Sequence, residues 1–176
     1  MLARAQKLII SCRERGQHEL LIDVCHNQAA VDDFVRALKN NGGLGFHTKL
    51  PALVTVLSDK DVNGMLDLLR GVLEPIVLFK INNERTLHLD NLAQRHRDLS
   101  VYDSFAQAWQ EEKSIWQNPH LPTVVCGSML GVGHVLDYFD VPLPQTYAPH
   151  LKAPCPGHHF NSLPISARHG ERPASV

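Results

Sequence analysis

No apolar run among the 176 residues approaches the ~20 needed for a helix to cross a bilayer, so no membrane partner is expected. There is no excess of one charge either. Seventeen Lys+Arg stand against 18 Asp+Glu, a net charge of −1, which supplies no global positive field to draw the chain to nucleic acid. The four cysteines, Cys12, Cys25, Cys126 and Cys155, are scattered and form no CxxC pair. That usage fits a reducing, cytoplasmic setting and excludes a disulfide framework. The opening MLARAQKLIISCRERG has basic residues, but its apolar patch is too brief for a secretory h-region and lacks a small-residue cleavage site. A mitochondrial presequence remains the lesser alternative.

Two glycine clusters invite cofactor readings that fail. Asn40-Asn41-Gly42-Gly43-Leu44-Gly45 is followed by Phe46-His47-Thr48-Lys49 and Pro51, not by the Gly-Lys-Ser/Thr that opens a P-loop helix. It reads as a flexible helix-to-strand loop. Gly131 and Gly133 lack the rest of the dinucleotide fingerprint. Cys155 with His158 and His159 has no partner pair for a zinc site, so no metal ligands are assigned.

What the chain does have is a repeated strand-to-helix pattern, set out most fully in LLIDVCHNQAAVDDFVRAL, residues 20–38. A short apolar run broken only by Asp23 turns polar at His26-Asn27-Gln28. Ala30, Val31, Phe34, Val35 and Leu38 then recur at helical steps. Asn27 stands where an N-cap belongs. Asp23 and His26 are therefore expected at the C-terminal lip of a strand, the edge where open α/β sheets bind ligands.

The pattern recurs along the chain. A strand over 52–57 leads through Ser58-Asp59-Lys60-Asp61 to a helix with Val62, Met65, Leu66, Leu69 and Val72 on one face, Ser58 or Asp59 supplying its cap. Residues 75–79 read as a strand, followed through Asn82-Asn83 by a helix near 87–97. A short strand near 100–102 leads to a helix over 105–116, with Trp109 and Trp116 as packing groups. The last unit is the strand 122–126, the turn Gly127-Ser128 and the helix 130–139, with Val132, Val135, Leu136 and Phe139 on one side. Glycine at 131 and 133 costs a helix about 1 kcal/mol each against Ala, and makes sense where the helix lies very close to a strand or ligand.

Residues 1–18 read as a polar lead-in, helical over 4–15. The main domain is expected over 19–140, and the proline- and histidine-containing tail over 141–176 is expected to be irregular. Five strands alternating with helices predict an α/β fold, a mostly parallel, doubly wound, Rossmann-like sheet flanked by helices.

Three motifs together resemble a known family. LLIDVCHNQAAVDDFVRAL is similar to the stretch opening the C-terminal domain of folylpolyglutamate synthase/dihydrofolate synthase, where Asp-x-Ala-His-Asn-Pro leads into a helix. LSDKDVNGMLDLL resembles the segment with Asp-Lys-Asp after that domain's second strand, and VVCGSMLGVGHVLDYF its closing Gly-Ser strand–helix unit. The resemblance spans roughly 19–140 in the same order, and places the chain near the Mur ligase superfamily, whose C-terminal domain is Rossmann-like.

The resemblance implies ATP- and Mg²⁺-dependent ligation, in which a folate or pteroate carboxylate is phosphorylated and the amine of glutamate attacks the acyl phosphate. It implies catalytic roles for Asp23 and His26, facing the nucleotide and reaction centre. It implies nucleotide- or substrate-binding roles for Asn27, Ser58, Asp59, Lys60, Gly127 and Ser128. Three positions depart from the family pattern: Cys25 replaces a small residue, Gln28 a proline, and His134 a commonly acidic residue. The P-loop and the Mg²⁺-binding carboxylates of the family's N-terminal ATPase domain have no counterpart here, so that domain, or a separate chain carrying it, is the implied partner. The alternative is a non-catalytic nucleotide- or amino-acid-binding module, or a remnant of that domain.

Overall fold

The computed structural model describes residues 6–12, 16–40, 48–86, 92 and 96–141. The glycine loop at 41–45, most of the helix expected near 87–97 and the tail beyond 141, with Cys155, His158 and His159, lie outside the described residues.

Apart from the helix near 87–97, the expected strand–helix units are present, with one addition at the front. In chain order they are β1 (Gln6–Cys12), β2 (Gly16–Asp23), α1 (Gln28–Asn40), β3 (Leu50–Thr55), α2 (Val62–Leu69) and β4 (Leu73–Phe79). They continue with β5 (Ser100–Tyr102), α3 (Phe105–Glu111), a 3₁₀ turn (Ser114–Trp116), β6 (Thr123–Gly127) and α4 (Met129–Tyr138). The strands form one six-stranded sheet in the order β1-β2-β6-β3-β4-β5. All neighbours are parallel except β1 and β2.

β1 corrects the expectation of a helix over 4–15 and of five strands. Gln6–Cys12 pairs antiparallel with β2 from Gln6↔Ile22 to Cys12↔Gly16, and Gly16 re-enters the sheet at φ +75°. Leu-Ile-Ile satisfies either period over so short a stretch. The full ladder to β2 and burial of Ile10 decide for the strand, while Lys7 reaches Glu19 across the hairpin at 3.0 Å.

Alternation along the parallel strands divides the core in two. On one face Leu21, Ala52, Val54, Ile76, Leu78, Val124 and Cys126 meet Val31, Phe34 and Val35 of α1 and Val62, Met65, Leu66 and Leu69 of α2. On the other, Leu20, Ile22, Leu53, Val77, Phe79 and Val125 meet Phe105, Ala108 and Trp109 of α3, Val132, Val135 and Leu136 of α4 and Phe139 just after it. The fold is a three-layer α/β/α sandwich with the sheet buried on both faces, which is why its central strands read as continuous apolar runs. Trp109 and Trp116 pack edge-to-face at 4.3 Å between ring centres, in the role expected of them.

The connections place a crevice. The chain leaves β2 through α1 for β3, moves outward through β4 and β5, and returns through α3 to insert β6 between β2 and β3. The direction of winding reverses at β2, β6 and β3. In open sheets, ligands bind outside the C-terminal ends of the strands at that reversal.

Candidate functional site

Parallel pairing brings the C-terminal ends of β2, β6 and β3 side by side. Asp23 lies opposite Cys126, and Thr55 opposite Gly127. Asp23 is 4% exposed although it is charged and at a strand end. The next residues bend away into α1. Asn27 caps that helix, its Oδ1 accepting the Ala30 amide at 2.9 Å. Its side-chain amide donates to Nε2 of the exposed His26 at 3.3 Å, which leaves Nδ1 as the ring's proton-bearing nitrogen. The sequence located this cap correctly.

On the neighbouring strands the fit is tighter. Gly127 has φ +118°, a conformation that favours glycine, and a Cβ there would strike the Thr55 carbonyl. The Ser128 amide donates to Thr55 O at 2.8 Å, and Ser128 Oγ accepts the Gly131 amide at 3.0 Å, capping α4. Gly131 lies against the Thr55 side chain. The anomalous glycine is therefore explained by a strand and not by a ligand. Ser128 is 4% exposed, fixed by its own amide and by its cap.

Beyond β3 the chain turns at Ser58-Asp59-Lys60. The cap of α2 is neither Ser58 nor Asp59, as expected, but Asp61, whose Oδ1 accepts the Gly64 amide at 3.1 Å. The Lys60 amide closes a turn onto Leu57 O at 3.2 Å, so the helix starts only afterwards. Asp59 is thus released from capping and binds two cations: Arg85 Nη2 at 2.6 Å and Lys60 Nζ at 3.2 Å. The Arg85 hydrogen bond, outweighing partial burial, holds the Asp59 carboxyl below the usual carboxylate range, with Lys60 assisting. Sequence reasoning missed Arg85. It lies 26 residues from Asp59, and its only local signal is the Asn82-Asn83 turn just before it.

All of the expected site residues thus occupy one edge of the sheet. Asp23, His26 and Asn27 follow β2, Gly127 and Ser128 end β6, and Ser58, Asp59 and Lys60 follow β3. Under that edge, on the α1/α2 face, Cys25 and Cys126 are both fully buried. A hydrogen bond with Cys25, together with burial and the nearby Asp23 charge, pushes the Cys126 thiol well above its ordinary value. These thiols are inert packing groups in the resting fold. His18 is buried at the opposite end of the sheet, its Nε2 2.9 Å from Thr123 Oγ1 and its ring against Trp116. It belongs to the core.

At the edge Asp23 presents a carboxylate and His26 its Nδ1–H, while the Asn27 side chain is committed to the α1 cap and to His26. Among the described residues no three His, Cys, Asp or Glu side chains converge to hold an ion.

No family model matches the chain. Among curated proteins it is 27% identical over 124 residues to the dihydrofolate synthase/folylpolyglutamate synthase of Escherichia coli, covering 69% of this chain and 28% of that protein. Among solved structures it superposes with a TM-score of 0.58, at 26% identity, on the bifunctional folylpolyglutamate synthase/dihydrofolate synthase of Yersinia pestis complexed with AMPPNP and Mn, covering 69% of this chain and 28% of that one. It superposes with a TM-score of 0.53, also at 26% identity and with the same coverage, on the E. coli FolC complexed with DHPP and ADP. The chain is homologous to the C-terminal part of these enzymes and spans under a third of their length.

Proposed function

We propose that this chain is the C-terminal, ligase-side domain of an ATP-dependent folylpolyglutamate/dihydrofolate synthase-like enzyme, joining glutamate to a folate or pteroate carboxylate through an acyl phosphate. The observation that carries the reading is the shared edge. The three segments that resemble the family's motifs are far apart in sequence, yet all pass into their helices at the C-terminal edge of the sheet where winding reverses. The related Yersinia pestis enzyme binds AMPPNP and Mn, and E. coli FolC binds DHPP and ADP.

In this reading Asp23 accepts hydrogen bonds from the nucleotide, His26 meets the phosphates, and Ser58, Asp59, Lys60, Gly127 and Ser128 line the amino-acid side. ATP supplies the phosphoryl group that activates the carboxylate, and fixed positive groups offset the charge in transfer. The family resemblance assigns the metal's ligands to the ATPase domain. That domain is the partner, either continuous with these residues or on a separate chain. One open edge exposes the acyl phosphate to water, and closing a second domain over it excludes that water.

The test is growth of a strain lacking folylpolyglutamate synthase. The chain is expressed alone and together with the N-terminal part of the E. coli relative. Rescue only with both is expected. Rescue by the chain alone would contradict the need for a partner. Soluble expression without rescue in either case would favour the non-catalytic binding module.

A further inference from the structure

The loop leaving β4 is built to deliver one side chain. Asn83 Oδ1 accepts the Arg85 amide at 2.9 Å, the Asn83 amide donates to Ile81 O and the Thr86 amide to Asn83 O, each at 2.9 Å. The Thr86 hydroxyl also donates to Ile81 O. This closed turn is stitched by backbone to the loop leaving β3. The Ser58 amide donates to Arg85 O at 2.9 Å, and Leu57 and Thr86 form an antiparallel bridge. Two loops from neighbouring parallel strands are therefore tied before any charge is considered.

Onto that frame the Arg85 guanidinium adds a bond to Asp59 Oδ2, the same oxygen that holds Lys60 Nζ. The backbone ties already close the loops, so the guanidinium acts on orientation. It fixes the Asp59 carboxylate, and through it the Lys60 side chain, which is 29% exposed against 54% for Arg85. Of the adjacent acids, Asp61 is committed to capping α2, and Glu84 is exposed on the same loop.

We propose that Arg85 is a positioning residue for the candidate amino-acid pocket, acting through Asp59 to hold the Lys60 ammonium at the sheet edge, where it receives a substrate carboxylate. The use made of Lys60 rests on the ligase reading. The clasp that orders it does not.

Two arms of one experiment separate these, using Arg85→Gln and Arg85→Lys in the full chain. Without substrate, NMR of Arg85→Gln is expected to show the Asp59 carboxyl titrating nearer its ordinary value and the Lys60 side chain gaining motion. The Ser58 and Thr86 amides should stay protected from exchange, because their backbone partners remain. An unchanged Asp59 titration and an unchanged Lys60 would overturn the clasp. In the ligase reconstituted with the ATPase domain, Arg85→Gln is expected to raise the glutamate KM about fivefold, the scale of an exposed ion pair. It should leave kcat and the nucleotide KM unchanged, with partial recovery in Arg85→Lys. An unaltered glutamate KM, or a loss confined to kcat, would overturn the positioning role. A wild-type chain without turnover would overturn the ligase reading instead, and the first arm would still decide the clasp.

Discussion

Gly131, in the first turn of α4, packs directly on the side chain of Thr55 at the end of β3, so that a Cβ at 131 would fall on Thr55 Cγ2. The contact lets the Ser128 cap sit flush with the sheet edge, its amide bonded to Thr55 O.

Gly131→Ala therefore carries the opposite sign from the usual helix substitution. Ala gains about 1 kcal/mol over Gly inside a helix, but overpacking a buried contact costs about 1–3 kcal/mol. The steric cost wins because the opposing atom is on a β-branched side chain of a buried strand. Denaturant unfolding should show Gly131→Ala less stable by up to about 2 kcal/mol. Adding Thr55→Ser, which deletes Cγ2, should restore much of the loss. A Gly131→Ala variant as stable as wild type would contradict the contact.

The buried Cys126 thiol, its ionisation opposed by the bond with Cys25 and by burial, gives a pH dependence with a definite sign. Above the ordinary thiol value of about 8.5 the unfolded chain releases a proton that the fold retains, so unfolding is favoured by rising pH. This contribution to stability is complete below that value and is lost as pH rises toward the folded one. Replacing Cys126 by Ala should flatten the alkaline limb of the stability curve, and native protein at pH 8 should alkylate at Cys126 only on unfolding. Rapid alkylation of folded protein would contradict the burial.

His96 links α2 to the segment before β5 in a single tautomer. Arg70 Nη2, which is only a donor, lies 3.1 Å from Nδ1, and Nε2 lies 3.0 Å from Asn63 Oδ1. The neutral ring must carry its proton on Nε2, and long-range ¹H–¹⁵N spectra should show that tautomer. A protonated Nδ1 would mean that the Arg70–His96–Asn63 chain does not form.

The sequence showed those features whose causes are local. The change from an apolar run to helical spacing at Asn27 located β2, α1 and the cap, because capping and amphipathicity act within one or two turns. The cost of glycine at 131 correctly signalled a close approach. The edge strand β1 was not legible, since Leu8-Ile9-Ile10 fits either period and only the ladder to β2 decides it. The α2 cap was misplaced because Ser58, Asp59 and Asp61 are all competent, and the turn onto Leu57 selects the last. Arg85 was invisible because its partner is distant in the chain and meets it only when β3 and β4 pair.

Asp23 bears most directly on the account, being a nearly buried carboxylate at the edge where β2 meets β6. The decisive measurement is ADP release, dependent on folate and glutamate, by the purified chain mixed with the ATPase domain of the E. coli relative, for wild type and for Asp23→Asn. The account predicts turnover with wild type and none with Asp23→Asn, while the variant's Tm stays within about 2 °C of wild type, as for a change that keeps shape and packing. Undiminished turnover in Asp23→Asn would contradict the role given to this carboxylate. Unfolding of the variant would show instead that Asp23 only anchors its loop.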